Sequence, residues 1–248
     1  MTLVAAKWLS RAFVLALCPL TALGAGPADY VYMPGVTYGE HEVDLKFGTW
    51  KDADKSRLGA ASVGYGIGVT QTWFTEFYTK FERPGAESAH FDALEWENKF
   101  QLTEPGQYPV DVGFIVELER PKNRSEGTEA RFGPLLQTET GKFQFNGNIL
   151  FERHYAAEAP HPLLMGYQWQ AKYRWQPKLE FGLQGFGELG KWNEWNSSDQ
   201  RTSRIGPAVF GKLELGNRRA IRYNAAWLVG SGPSAPTRNL RVQIEYEF

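Results

Sequence analysis

Few residues of this 248-residue chain suit nucleophilic or transition-metal chemistry: four histidines, His41, His90, His154 and His161, and one cysteine, Cys18. His154, His161 and Met165 fall around one loop, yet two histidines seven apart with a methionine do not define a ligand geometry. No metal or cofactor is assigned on that basis. Charge, by contrast, is abundant and regularly spaced. Glu42, Asp44 and Lys46 occupy alternate positions, as do Glu95, Glu97 and Lys99, while Glu117 and Glu119 continue the pattern. Gln144, Asn146, Asn148 and Glu152 share one phase, as do Gln168, Gln170, Lys172 and Arg174, and then Glu180, Gln184 and Glu188. Arg222 precedes a last set, Arg241, Gln243 and Glu245. Side chains two apart on a strand point the same way. The chemistry expected of such stripes is the attraction and hydration of ions, not bond-breaking.

The opposite phase of each stripe is apolar, which makes these segments strands. Val43, Leu45 and Phe47 oppose the first stripe, Leu94 and Trp96 the second, and Val112, Phe114, Val116 and Leu118 the third. Twelve such runs follow one another, with no helical stripe after the first thirty residues. The weakest is FGPLLQTE at 132–139, whose apolar residues do not alternate cleanly. Connections mostly alternate between tight turns and longer polar loops. Gly64, Gly66 and Gly68 share the polar phase of the second run; they make room for a path or a neighbour's long side chain, or let a curved wall bend. Trp192 and Trp195, in the longest loop, either fold inward as a constriction or pack that loop. The chain ends RVQIEYEF, with Leu240, Val242, Ile244, Tyr246 and Phe248 in one phase, so its last residue belongs to a strand.

Composition narrows the class. A net charge of -1 leaves no electrostatic footprint for nucleic acid. Residues 1–25 read as a signal peptide, with Lys7 and Arg11 ahead of the apolar AFVLALCPLTAL and small residues at its end. A lipid anchor at Cys18 is disfavoured by bulky Leu15 three residues before it and by Pro19 after it. Export follows, and residues 26–248 carry no cysteine. No apolar run there is long enough for a membrane helix, but a transmembrane barrel alternates lipid-facing and lumen-facing residues and so hides its hydrophobicity.

The expected architecture is all-β: a single antiparallel up-and-down transmembrane barrel of about twelve strands in the outer membrane. Aromatic residues near strand ends, Trp50, Trp73, Tyr108 and Trp175, suit an interfacial girdle. Tyr246 and terminal Phe248 resemble the signal by which the barrel-assembly machinery recognises its clients. EARFGPLLQTETGKFQFNGNILFER and RIGPAVFGKLELGNRRAIRYNAAWLVGSG resemble uncharacterised proteobacterial outer-membrane proteins, and YGIGVTQTW resembles small barrels named for a phenol-degradation pathway, held to be channels. The resemblance implies a barrel and its address, and brings no catalytic residues.

The function expected is that of a passive channel for small solutes through a charged, net acidic lumen, in contact with outer-membrane lipid. A barrel stitched shut by ion pairs that holds a partner at its loops is the alternative. A lipid-modifying enzyme is remote, because outer-membrane lipid hydrolases show His-x-Ser, whereas Ser88 and His90 stand in the reverse order.

Overall fold

The computed structural model describes residues 26–52, 56–232 and 235–248; the stretch read as a signal peptide lies outside them. The alternating runs become β1 (His41–Lys51), β2 (Arg57–Gly68), β3 (Trp73–Pro84), β4 (His90–Gln101), β5 (Asp111–Pro121), β6 (Thr128–Thr140), β7 (Phe143–Tyr155), β8 (Leu164–Gln176) and β9 (Leu179–Lys191). A two-residue strand, β10 (Glu194–Trp195), extends the end of β9, and β11 (Thr202–Gly216), β12 (Arg219–Ser231) and β13 (Arg238–Glu247) complete the chain. Each long strand pairs antiparallel with its neighbours, and β13 pairs with β1, closing twelve strands into a barrel. Closure removes the unpaired edges that a bilayer could not solvate.

The terminal strand does what its pattern requires. Ile244 lies opposite Leu45 on β1 and Tyr223 on β12. Phe248 and His41 exchange backbone hydrogen bonds at 3.0 and 2.8 Å, and their rings stack at 5.7 Å. Phe248 thereby fastens the seam at its last residue.

The outer surface is apolar: Phe47, Val63, Phe77, Leu94, Leu118, Ile149, Leu183, Val209, Trp227 and Leu240 are all exposed large side chains. Covering this belt with lipid instead of water is what makes the chain stable as a barrel. Aromatic pairs gather toward the tight-turn end, with Trp73 on Phe100, Trp175 on Phe181 and Phe143 against Tyr173. By the length rule for such barrels that end faces the periplasm, although its connection at 102–110 is longer than the other turns.

Two local findings depart from the sequence expectations, and a third decides between alternatives they left open. Trp50 is not in the girdle: it shares the phase of Glu42, Asp44 and Lys46, points inward, and lies 5.2 Å beneath the Arg204 guanidinium. Strand β6 runs well beyond 132–139; Phe132 pairs with Phe151 and Leu135 with Asn148, but the ladder lapses between them at Gly133–Pro134, where proline has no N–H to offer. Trp192 and Trp195 are half-exposed at the outer end and do not constrict the lumen.

Candidate functional site

The site is the barrel's interior, and what fills it is the chain's own segment ahead of β1. From Glu40 at the periplasmic rim, residues 39 down to 26 run back up the lumen without regular secondary structure, turning at 27–28 and 38–39. At the rim, the Gly39 N–H donates to the Gly68 carbonyl at 2.8 Å. Near the far end, the Asn239 side-chain amide donates to the Pro27 carbonyl at 3.0 Å. Between these points the segment makes no strand ladder, so barrel side chains hold it.

Successive side chains at 30–32 go to opposite walls. Tyr30 and Tyr32 reach the carboxylate-rich wall of β1–β5, where their hydroxyls donate to Glu97 at 2.7 Å and Glu117 at 2.5 Å. The two rings meet edge to face at 4.7 Å. Lys46 Nζ lies between the faces of Tyr30 and Tyr78, 3.7 and 3.6 Å from their ring centres, a desolvated cation–π sandwich. Tyr32 also packs on Ile115, Leu135 and Leu150, and its backbone is clamped by Gln168 and Asn148, at 3.2 and 3.0 Å. Val31 faces the other way, into a socket of Phe186, Ala208, Phe210, Ala226 and Leu228. These inward apolar residues interrupt the polar stripes. They are the lining residues that periodicity missed, and an apolar residue in a polar phase is the signal that marks them.

Glycine makes the fit possible at two points of close approach. A Cβ at Gly48 would lie 1.9 Å from the Pro27 carbonyl oxygen, and one at Gly113 would lie 2.8 Å from Pro34. Gly48→Leu is expected to push residues 26–30 off the wall while β1 keeps its pairing. Faster proteolytic trimming of the N-terminal segment in the variant would show this; unchanged trimming would mean the segment tolerates the clash. Gly64 and Gly66 serve a different purpose, making room for the Tyr78 and Phe74 rings of β3.

The charged stripes point inward as their phase requires. Asp44, Lys46, Glu95, Glu97, Glu117, Gln144, Asn146, Asn148, Gln168, Gln170, Gln184, Arg241 and Gln243 are all buried among the described residues. Glu42, Lys99, Lys172, Arg174, Glu180, Arg222 and Glu245 line a cavity of about 660 Å³ at the periplasmic end. Glu119 lines a second cavity of about 330 Å³ toward the loops, Glu152 binds Arg131 beside it, and Glu188 lies across the ladder from Thr202. Tyr30 borders both cavities, so the segment is the partition between them.

Ion pairs knit the wall at this end, and one of them, Asp29 with Arg131, ties the segment to it. Lys80 bridges Glu95 at 3.0 Å and Glu119. Arg131 faces four carboxylates: Glu152 at 3.0 Å, Glu129 at 3.2 Å, and Glu117 and Asp29 each at 3.6 Å. Across the lumen the wall is richer in amides, with Gln144, Asn146, Gln170 and Gln184 linked in a chain of hydrogen bonds at 3.0 Å. Arg241 joins that chain through Gln184 at 2.6 Å.

No protein-family model matches the chain, and no curated protein matches it in sequence. Solved structures do match in fold. A COG4313 outer membrane channel from Pseudomonas putida F1 aligns with 88% of this chain and 98% of its own length, at 12% identity and a TM-score of 0.58. A NanC porin aligns over 83% and 98%, at 10% identity and a TM-score of 0.56. The translocator domain of the autotransporter NalP from Neisseria meningitidis aligns over 86% and 88%, at 12% identity and a TM-score of 0.51. At such identities the likeness is one of fold, and with the closed ring and its lipid-facing belt it makes this chain an outer-membrane β-barrel.

Proposed function

We propose that the barrel is a passive channel for small hydrophilic solutes, with a throat set by its N-terminal segment. One observation carries the reading: two chambers of about 660 and 330 Å³ meet across the segment at Tyr30, which borders both. A barrel built only as a scaffold has no reason to keep open space on both sides of such a segment. Solutes would diffuse down their gradient past mixed charge, and no step requires a nucleophile or a cofactor. Carboxylates outnumber cations on the β1–β5 wall, so a modest preference for cations is expected. Lipid would cover the apolar belt, and the assembly machinery would read the terminal strand.

The same partition favours a second reading, a barrel closed at rest. Single-channel recording of the refolded protein in a planar bilayer under a salt gradient separates them. Discrete steps with a cation-directed reversal potential support a conducting lumen, whereas silence at all voltages supports closure at rest. Anion preference would refute the charge argument.

Deleting Phe248 is expected to lower the fraction of protein assembled in the membrane severalfold, because the seam loses both hydrogen bonds to His41. Heat-dependent gel mobility of membrane fractions measures that fraction, and normal assembly would show that the terminal residue is dispensable.

A further inference from the structure

At the loop end of the lumen, three side chains on two adjacent strands converge on one point. Glu129 stands on β6, and Glu152 and His154 stand two residues apart on β7. One atom from each, His154 Nε2 and a carboxylate oxygen from either glutamate, lie within 4.8 Å of one another. The remaining atoms of these groups are already engaged. Glu129 Oε1 and Glu152 Oε2 are held by Arg131 at 3.2 and 3.0 Å. His154 Nδ1 lies 2.9 Å from the Glu126 carbonyl oxygen, which can only accept, so that nitrogen carries the ring proton.

The free atoms therefore face one another. His154 Nε2 is 3.5 Å from Glu129 Oε2 and 3.9 Å from Glu152 Oε1, beyond ordinary hydrogen-bond length. The imidazole side chain is only 8% exposed, and its Nε2 has no hydrogen-bond partner. Three lone-pair donors aimed at a shared point repel unless a cation or a proton lies between them. Ligands about 2.0–2.1 Å from a tetrahedral zinc-type ion stand roughly 3.3–3.4 Å apart; the 3.5 Å from His154 to Glu129 is close to that, and the 3.9 Å to Glu152 needs a small closing movement. Arg131 holds the outer carboxylate oxygens as an outer-shell partner would, and the Glu126 carbonyl fixes the imidazole tautomer. His161 stacks on the His154 ring at 4.5 Å and covers one of its faces.

We propose that Glu129, Glu152 and His154 form a binding site for one divalent transition ion of the borderline class, such as Zn²⁺. One imidazole with two carboxylates suits that class better than Mg²⁺ or Ca²⁺, which favour all-oxygen sites. The site opens on the loop-end chamber, where Glu129 is part of the lining. It does not depend on whether the lumen conducts.

The test is calorimetric titration of ZnCl₂ into the untagged, chelator-washed barrel in detergent, with visible absorption of bound Co²⁺ as a second readout. One ion per barrel is expected, with at least tenfold weaker binding in both His154→Ala and Glu152→Gln. Heat-dependent gel mobility verifies that each variant is folded, and two variants guard against one failing to assemble. Absence of binding in the wild type would overturn the proposal and leave a protonated ion-pair cluster in its place. So would binding that survives in His154→Ala but is lost in Glu97→Gln/Glu117→Gln, which would move the ion to the buried carboxylates in the middle of the lumen.

Discussion

Deletion of residues 27–35 is expected to raise single-channel conductance several-fold while the barrel still assembles. The segment fills the lumen between two chambers, so its removal merges them into one continuous path. The wall should survive, because every long strand is paired on both sides without help from the segment. Glu97, Glu117, Asn148 and Gln168 lose partners on Tyr30 and Tyr32, but water entering the merged lumen replaces those hydrogen bonds at small cost. The apolar sockets around Val31 and Tyr32 become wetted, at about 25 cal/mol per Å². That cost falls on the wall without breaking it. Unchanged conductance, with heat-dependent mobility showing an intact barrel, would mean that the narrowest point lies elsewhere.

Arg131→Met should be the most destabilising single substitution inside the lumen. Its guanidinium is the shared counter-ion of Asp29, Glu117, Glu129 and Glu152, and its side chain is only 12% exposed. Methionine preserves much of the volume but leaves four carboxylates facing one another. Removing one partner of a buried charge cluster costs about 3–5 kcal/mol. The lower end applies here, since the loop-end chamber admits water to the orphaned groups. Arg131→Lys should recover only part of the loss, because an ammonium cannot hold carboxylates in a bidentate fork. Urea unfolding in lipid vesicles measures both variants. An Arg131→Met barrel as stable as wild type would show that the four carboxylates find other partners.

What was legible in the sequence was whatever repeats locally. Glu42, Asp44 and Lys46 against Val43, Leu45 and Phe47 define a two-faced strand by themselves, and the same holds for β4, β5, β7, β8 and β13. Closure was legible too, because a strand that runs to Phe248 needs a partner on each side. The segment at 26–40 was not, and the reason is physical. GPADYVYMPGVTYGE has no ladder and no sustained period, and its partners are remote: Tyr30 bonds Glu97, 67 residues away, and Tyr32 bonds Gln168, 136 residues away. No local rule sees such contacts. Trp50 was misplaced because aromatic character was weighed above phase, and phase was the better guide. Glu129, two residues before Arg131 and well separated in sequence from His154, joined the histidine only when β6 and β7 paired. Loop histidines alone gave no geometry.

The N-terminal segment is joined to β1 through Gly39 and Glu40, and this makes it a ligand that cannot diffuse away. Were the segment to leave its groove, so short a tether would hold it nearby at an effective concentration of about millimolar. Contacts too weak to retain a separate peptide would then suffice to keep the lumen divided. Occupancy is also set inside each molecule, so it stays the same however densely the barrel is packed in the membrane. A dividing element tied in this way would not be lost on release, whereas a bound molecule of equal affinity would diffuse away.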